Sequence, residues 1–143
     1  MIDVGVWQMN VYLVKMRSRV NDEWFYKVGI TRHEDIRLRF TTFGTDTVHA
    51  SDLPKMEKLK RIFRRETYLF QYDLDVVHVV KLTREADAEQ IEREILEAVE
   101  GQAVLPRQPF PGRTECFWAD DKQIALVQDY MTDEANFHNS RSV

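Results

Sequence analysis

The sequence predicts an α+β fold: a small three-stranded, mostly antiparallel sheet flanked by helices. Three observations carry this. Two short β-prone runs, 11–16 and 24–30, are separated only by a polar stretch holding an Asn21-Asp22 turn signal. A valine-rich run over 75–82 supplies a third strand of buried character. The remaining apolar residues recur at helical spacing in four further segments, giving the order β-β-α-α-β-α-α. A sheet this small must bury at least one face, and these helices are what can cover it.

Taken in order, the first two runs pair as a hairpin with a longish loop. Gly29, inside the second run, signals a close approach of something to the backbone. Thr31 can cap a helix over 32–43, with Glu34 and Asp35 in its first turn, Ile36, Phe40 and Phe43 on one side and Gly44 as its stop. Ser51 or Asp52 can cap a helix near 53–65, with Pro54 in its first turn and a stripe of Leu53, Met56, Leu59 and Phe63. Residues 68–72 are ambiguous. Thr83 is the expected cap of a helix over 84–100 that turns Ala88, Ile91, Ile95 and Val99 inward before Gly101. Three of the four prolines fall in 105–112, the mark of a stiff, ordered loop. A last helix starts at Asp120 or Asp121 and runs to about Met131. One domain is expected over 1–133, with 134–143 as a flexible tail.

A chain of 143 residues with 43% hydrophobic content can bury a real core, which argues against wholesale disorder. A single cysteine, Cys116, excludes an internal disulfide framework and a cysteine-based zinc site. His33, His49, His78 and His138 show no metal-ligand spacing. The first residues lack the basic segment and apolar run of a signal peptide, and no stretch reaches membrane-spanning length. The expectation is a soluble, cytoplasmic protein. Net charge is -4, but its distribution is uneven. Lys55, Lys58, Lys60, Arg61, Arg64 and Arg65 cluster in one segment, while 85–100 carries seven acidic residues against Arg93. A phosphate backbone responds to the local field of a basic face, so Lys55, Lys58, Arg61 and Arg65, with Arg39, are the candidate nucleic-acid contacts. An ordinary solvated helix face is the competing reading for both segments.

The motifs that carry chemistry are Asn10-Val11-Tyr12, Lys27-Val28-Gly29 followed by Ile30-Thr31, Arg37-Leu38, and Glu115 within Gly112-Arg113-Thr114-Glu115-Cys116-Phe117. Over roughly 10–120 these resemble the GIY-YIG nuclease superfamily, and more closely its phage-associated branch in which the second motif begins with lysine. The leading glycine of the first motif is absent. Lys27 stands where the second motif usually has tyrosine, next to Tyr26, and Leu96 stands where relatives of that branch often have histidine. Arg39-Phe40 competes with Arg37-Leu38 for the helix-borne arginine.

The resemblance implies a metal-dependent endonuclease hydrolysing phosphodiester bonds in DNA, with Tyr12, Lys27, Arg37 and Glu115 as its catalytic residues. Glu115 would be the ligand of Mg²⁺ or Mn²⁺; a lone carboxylate suits Mg²⁺, which keeps much of its water shell. Arg37 would clamp the phosphate through its planar fork. Tyr12 would orient the attacking water and take its proton, Lys27 lowering the phenol's ordinary pKa of about 10 and touching the phosphate. The alternative is a catalytically inactive protein of the same fold that binds nucleic acid or a host or phage protein. A third option uses the acidic helix, through Glu92, Glu94 and Glu97, as a partner surface. Each residue also has a purely structural role open to it: Tyr12 as a core tyrosine, Lys27 and Arg37 as solvated cations, Glu115 as a cap or ion-pair partner. Cys116 reads as a small buried hydrophobe. Trp24, Phe25 and Tyr26 read as core and sheet-edge residues, with base stacking as the alternative.

Overall fold

The computed structural model describes residues 8–32, 34, 36, 72–107 and 113–141. Strands β1 (Met9–Ser18), β2 (Trp24–Thr31), β3 (Tyr72–Leu82) and β4 (Cys116–Phe117) form one antiparallel sheet in the order β3-β1-β2-β4. Two helices, α1 (Glu85–Ala98) and α2 (Asp121–Arg141), complete the described α+β architecture. The sheet thus has four strands where three were expected. The extra strand is only two residues long, too short to leave a periodic signal. It forms because β2 offers it a free edge, with Tyr26 paired to Phe117 and Lys27 to Cys116.

The β1–β2 hairpin closes through its polar side chains. The Ser18 hydroxyl accepts the Val20 and Asn21 amides, and Asn21 Oδ1 accepts the Glu23 amide at 2.8 Å. That closure sets the register Tyr12–Gly29, Leu13–Val28 and Val14–Lys27. Because side chains alternate, Val11, Leu13, Tyr26 and Val28 share one face and Tyr12, Val14, Phe25 and Lys27 the other. β3 pairs with the far side of β1, with an irregularity between Leu13 and Val14 that leaves Val77 as an extra residue. β3 begins at Tyr72, which resolves the ambiguous 68–72 segment at its last residue.

The first face is dry. Val11, Leu13, Val28 and Phe117 pack against Ala88, Ile91 and Ile95 of α1 and Ile124, Met131 and Ala135 of α2. Thr83 is not the cap of α1: Arg84 occupies that position, without a side-chain cap bond. The Thr83 amide is instead taken by Asn139 Oδ1 of α2. A reciprocal capping box starts α2, with Asp120 Oδ1 accepting the Gln123 amide at 2.8 Å and Gln123 Oε1 accepting the Asp120 amide at 3.0 Å.

The expected tail over 134–143 is corrected through Arg141. α2 continues to that residue, with Ala135 and His138 buried, His138 Nδ1 3.4 Å from Asp87 and Asn139 donating to the Lys81 carbonyl. The helix near 53–65, most of that over 32–43 and residues 108–112 of the proline-rich loop lie outside the described residues.

Candidate active site

The opposite face of the sheet is also buried, yet it holds polar groups. Tyr12, Val14, Met16, Phe25, Ile36, Tyr72, Leu74 and Cys116 form its apolar cluster, and Asn10, Lys27 and Thr31 are buried beside them. Lys27 is 1% exposed. An ammonium can be held there only where oxygen acceptors replace its water. Its Nζ donates to Glu115 Oε2 at 2.9 Å, to Tyr12 Oη at 3.2 Å and to the Val28 carbonyl at 3.3 Å.

Each contact has a local origin. Tyr12 and Lys27 are diagonal neighbours across the hairpin, so both reach one point on the same face. Glu115 arrives from a 3-10 turn, Arg113–Glu115, that leads directly into β4. Pairing of Cys116 with Lys27 sets the preceding residue beside the ammonium. Behind β4, the Val104 amide donates to the Cys116 carbonyl and the Trp118 amide to Gln102, fixing the approach of Glu115 from its outer side.

Gly29 is the partner of Tyr12 in the ladder, and the ring of Tyr12 lies across it. A Cβ at Gly29 would fall 2.9 Å from the ring's Cε2 and closer still to Cζ and the hydroxyl oxygen. The close approach that Gly29 signals is therefore that of a tyrosine ring.

Two titrating groups record this environment. Burial alone would lower the Lys27 pKa. The Tyr12 oxygen and the Glu115 carboxylate outweigh it, so the ammonium is held above its ordinary value. The Cys116 thiol is pushed up to about 12 by burial; Lys27 acts against this, and Glu115 and Glu23 add to it. Cys116 is thus a buried, protonated thiol.

Of the four proposed catalytic residues, Tyr12, Lys27 and Glu115 meet within hydrogen-bond distance of one ammonium. Arg37 lies outside the described residues, as do Arg39, Lys55, Lys58, Arg61, Arg65 and His33. Lys27 is not a solvated strand residue, and its nitrogen faces three protein oxygens. The reading in which it also touches a phosphate gives way to one in which it clamps its neighbours. Tyr26 packs with Phe117 on the other face and does not stand in for the missing motif tyrosine.

Glu23 lies in no sequence motif. Its carboxylate accepts the Tyr72 hydroxyl at 2.8 Å and the Arg107 amide at 3.2 Å, tying the start of β3 to the loop that leads toward Glu115. Those partners lie 49 and 84 residues away, so no local pattern points to them.

As a metal ligand, Glu115 offers a hard oxygen donor on a side chain one-third exposed, with Oε2 held by Lys27. This fits an ion that keeps most of its waters and takes one protein carboxylate. Among the described residues, no group of three or more His, Cys, Asp or Glu side chains could hold a metal. No described helix is long and apolar enough to cross a membrane. Compared with family models, curated proteins and solved structures, the chain has no match in any of the three.

Proposed function

We propose that this chain is a metal-dependent endonuclease of the GIY-YIG type that hydrolyses phosphodiester bonds in DNA. One observation carries the reading: Tyr12 Oη and Glu115 Oε2, from segments a hundred residues apart, are both bound to the buried Lys27 ammonium. A core assembled only for stability gains little from such a cluster, because well-packed apolar residues of similar volume do as well or better. A site that must hold a proton acceptor beside a metal-binding carboxylate needs it.

In this reading Lys27 is a positioning residue. By donating to Tyr12 Oη it gives a phenolate there a charge partner, and the phenolate is the form that would take a proton from the attacking water. By donating to Glu115 Oε2 it fixes the carboxylate that would hold Mg²⁺ or Mn²⁺. When bound, the ion supplies charge relief at the phosphoryl oxygens and a more acidic water. Arg37, on the segment that follows β2, would supply the phosphate clamp.

The test is cleavage of plasmid and single-stranded DNA with Mg²⁺ or Mn²⁺. Wild-type protein cuts, while Glu115→Gln and Tyr12→Phe fall by at least about a hundredfold with their folds intact. Intact DNA with the wild-type protein, or undiminished cutting by Glu115→Gln, overturns the proposal.

A second reading is favoured by one observation: Tyr12 is fully buried and Lys27 nearly so. On that reading the fold is retained as a nucleic-acid or protein-binding scaffold without chemistry. Mg²⁺ then gives no thermal stabilisation that Glu115→Ala removes.

A further inference from the structure

The helix-side face of the sheet loses its cover toward the hairpin end. Along β1 and β2, Val11, Leu13 and Val28 are fully buried, Lys15 is half-buried, and Arg17 and Trp24 are exposed. Trp24 is 37% and Trp118 44% exposed, an unusual state for two large aromatic side chains that touch each other. Their ring centroids are 5.9 Å apart and tilted by 54°. The Lys15 ammonium stands 4.6 Å from the centroid of the Trp24 ring, and Tyr26 and Trp24 meet edge to face.

Beside this cluster opens a cavity of about 500 Å³, lined by Lys15, Arg17, Asn21, Asp22 and Trp24 among others. Glu23 also borders it, but its carboxylate is engaged by the Tyr72 hydroxyl and the Arg107 amide. A cavity of that size suits one nucleotide unit. The chemistry on offer is two cations, one half-buried, the Asp22 carboxylate near the hairpin tip, and two partly exposed tryptophan rings. Unpaired bases with their phosphates match it: every base has a stacking face, and the backbone follows the cations. A duplex does not, since its base faces are already stacked.

We infer that Trp24 and Trp118, with Lys15 and Arg17, form a stacking subsite for single-stranded DNA. Bases lie on the tryptophan rings and phosphates against the two cations. The inference rests on the nuclease reading only for the route of the strand: Trp118 follows Glu115 by three residues through β4, a span of about 10 Å at strand rise, so a chain leaving the candidate site over the sheet edge reaches Trp118 first.

The experiment measures anisotropy of a labelled oligothymidylate of about eight nucleotides, with EDTA present so that no cleavage intervenes. Trp118→Ala should weaken binding by about tenfold or more and Trp118→Phe by much less, because the π face is kept. Lys15→Gln should lower the slope of log affinity against log salt by roughly 0.7. Because binding is read without metal, it separates this subsite from the chemistry: cleavage can fail while stacking stands. Should the alanine variant melt early, Trp118→Leu, which keeps apolar contact with Trp24 but has no π face, takes its place and should show the same loss. Unchanged binding by Trp118→Ala or Trp118→Leu overturns the inference. So does equal weakening in Trp118→Phe, or competition by inorganic polyphosphate as effective as that of unlabelled oligothymidylate, which would mark charge alone.

Discussion

Toward α1 and α2 the sheet presents Val11, Leu13, Val28 and Phe117, all without exposure. One residue along, the same strands present Tyr12, Lys27 and Cys116, just as buried but carrying a hydroxyl, an ammonium and a thiol. The period-two alternation that normally divides core from solvent here divides a dry core from a polar one. The dry face is held by area and packing, which are indifferent to partner identity, pH or salt. The polar face is held by a few directed contacts around Lys27, each of which fails if its partner moves. The two faces should therefore fail in different ways when perturbed.

The largest effect is expected on the dry face. Leu13→Ala should cost about 3–4 kcal/mol in urea unfolding, with no pH-dependent component and the Tyr12–Lys27 contact kept. A smaller loss that varies with pH would show the two faces to be coupled through β1. Next comes Lys27→Met, which leaves the Tyr12 oxygen and Glu115 without their shared donor. About 2–3 kcal/mol is expected, less than for a fully buried ion pair because Glu115 is one-third exposed, and cleavage should be lost as well. Retained cleavage would remove Lys27 from the site.

Gly29→Ala should cost about 2 kcal/mol, because the added carbon meets a rigid, buried ring. Most of that cost should vanish in a Tyr12→Ala background, and a double-mutant cycle showing additivity would sink the explanation. Tyr12→Phe should cost about 1 kcal/mol, the worth of one buried hydrogen bond.

The smallest effect needs no mutation. The native Cys116 thiol titrates near 12, above its unfolded value near 9. The unfolded chain therefore releases this proton first, and stability is full below about pH 8.5 and falls as pH rises. The loss should reach about 0.8 kcal/mol at pH 9.5 and be absent from Cys116→Ala. Lys27, also raised, adds loss in the same direction only above about 10.5. Native protein at pH 8 should resist iodoacetamide until it is unfolded.

Much of this is legible in the amino-acid sequence. The hairpin was visible from two β-prone runs around Asn21-Asp22, and the inward set Ala88, Ile91 and Ile95 from helical period. That Tyr12, Lys27 and Glu115 meet is what the family resemblance of their motifs implies, although each alone reads as an ordinary residue. Three features were misread for physical reasons. β4 has two residues, below the length at which alternation exists. Residues 134–141 are polar enough to suggest fraying, yet they stay helical where Ala135 is buried, His138 nears Asp87 and Asn139 holds the Lys81 carbonyl. Thr83 suits a helix cap by residue type, but α2 claims its amide.

Local pattern decided which residues extend, which coil and which side of each strand turns inward, because backbone propensity and alternation act over a few neighbours. Only tertiary packing decided what those inward sides would meet. A lysine in an apolar run carries no record of whether water or protein oxygens will receive it. That was settled when the register of β1 on β2, and of β4 on β2, brought a phenol and a carboxylate to the same nitrogen.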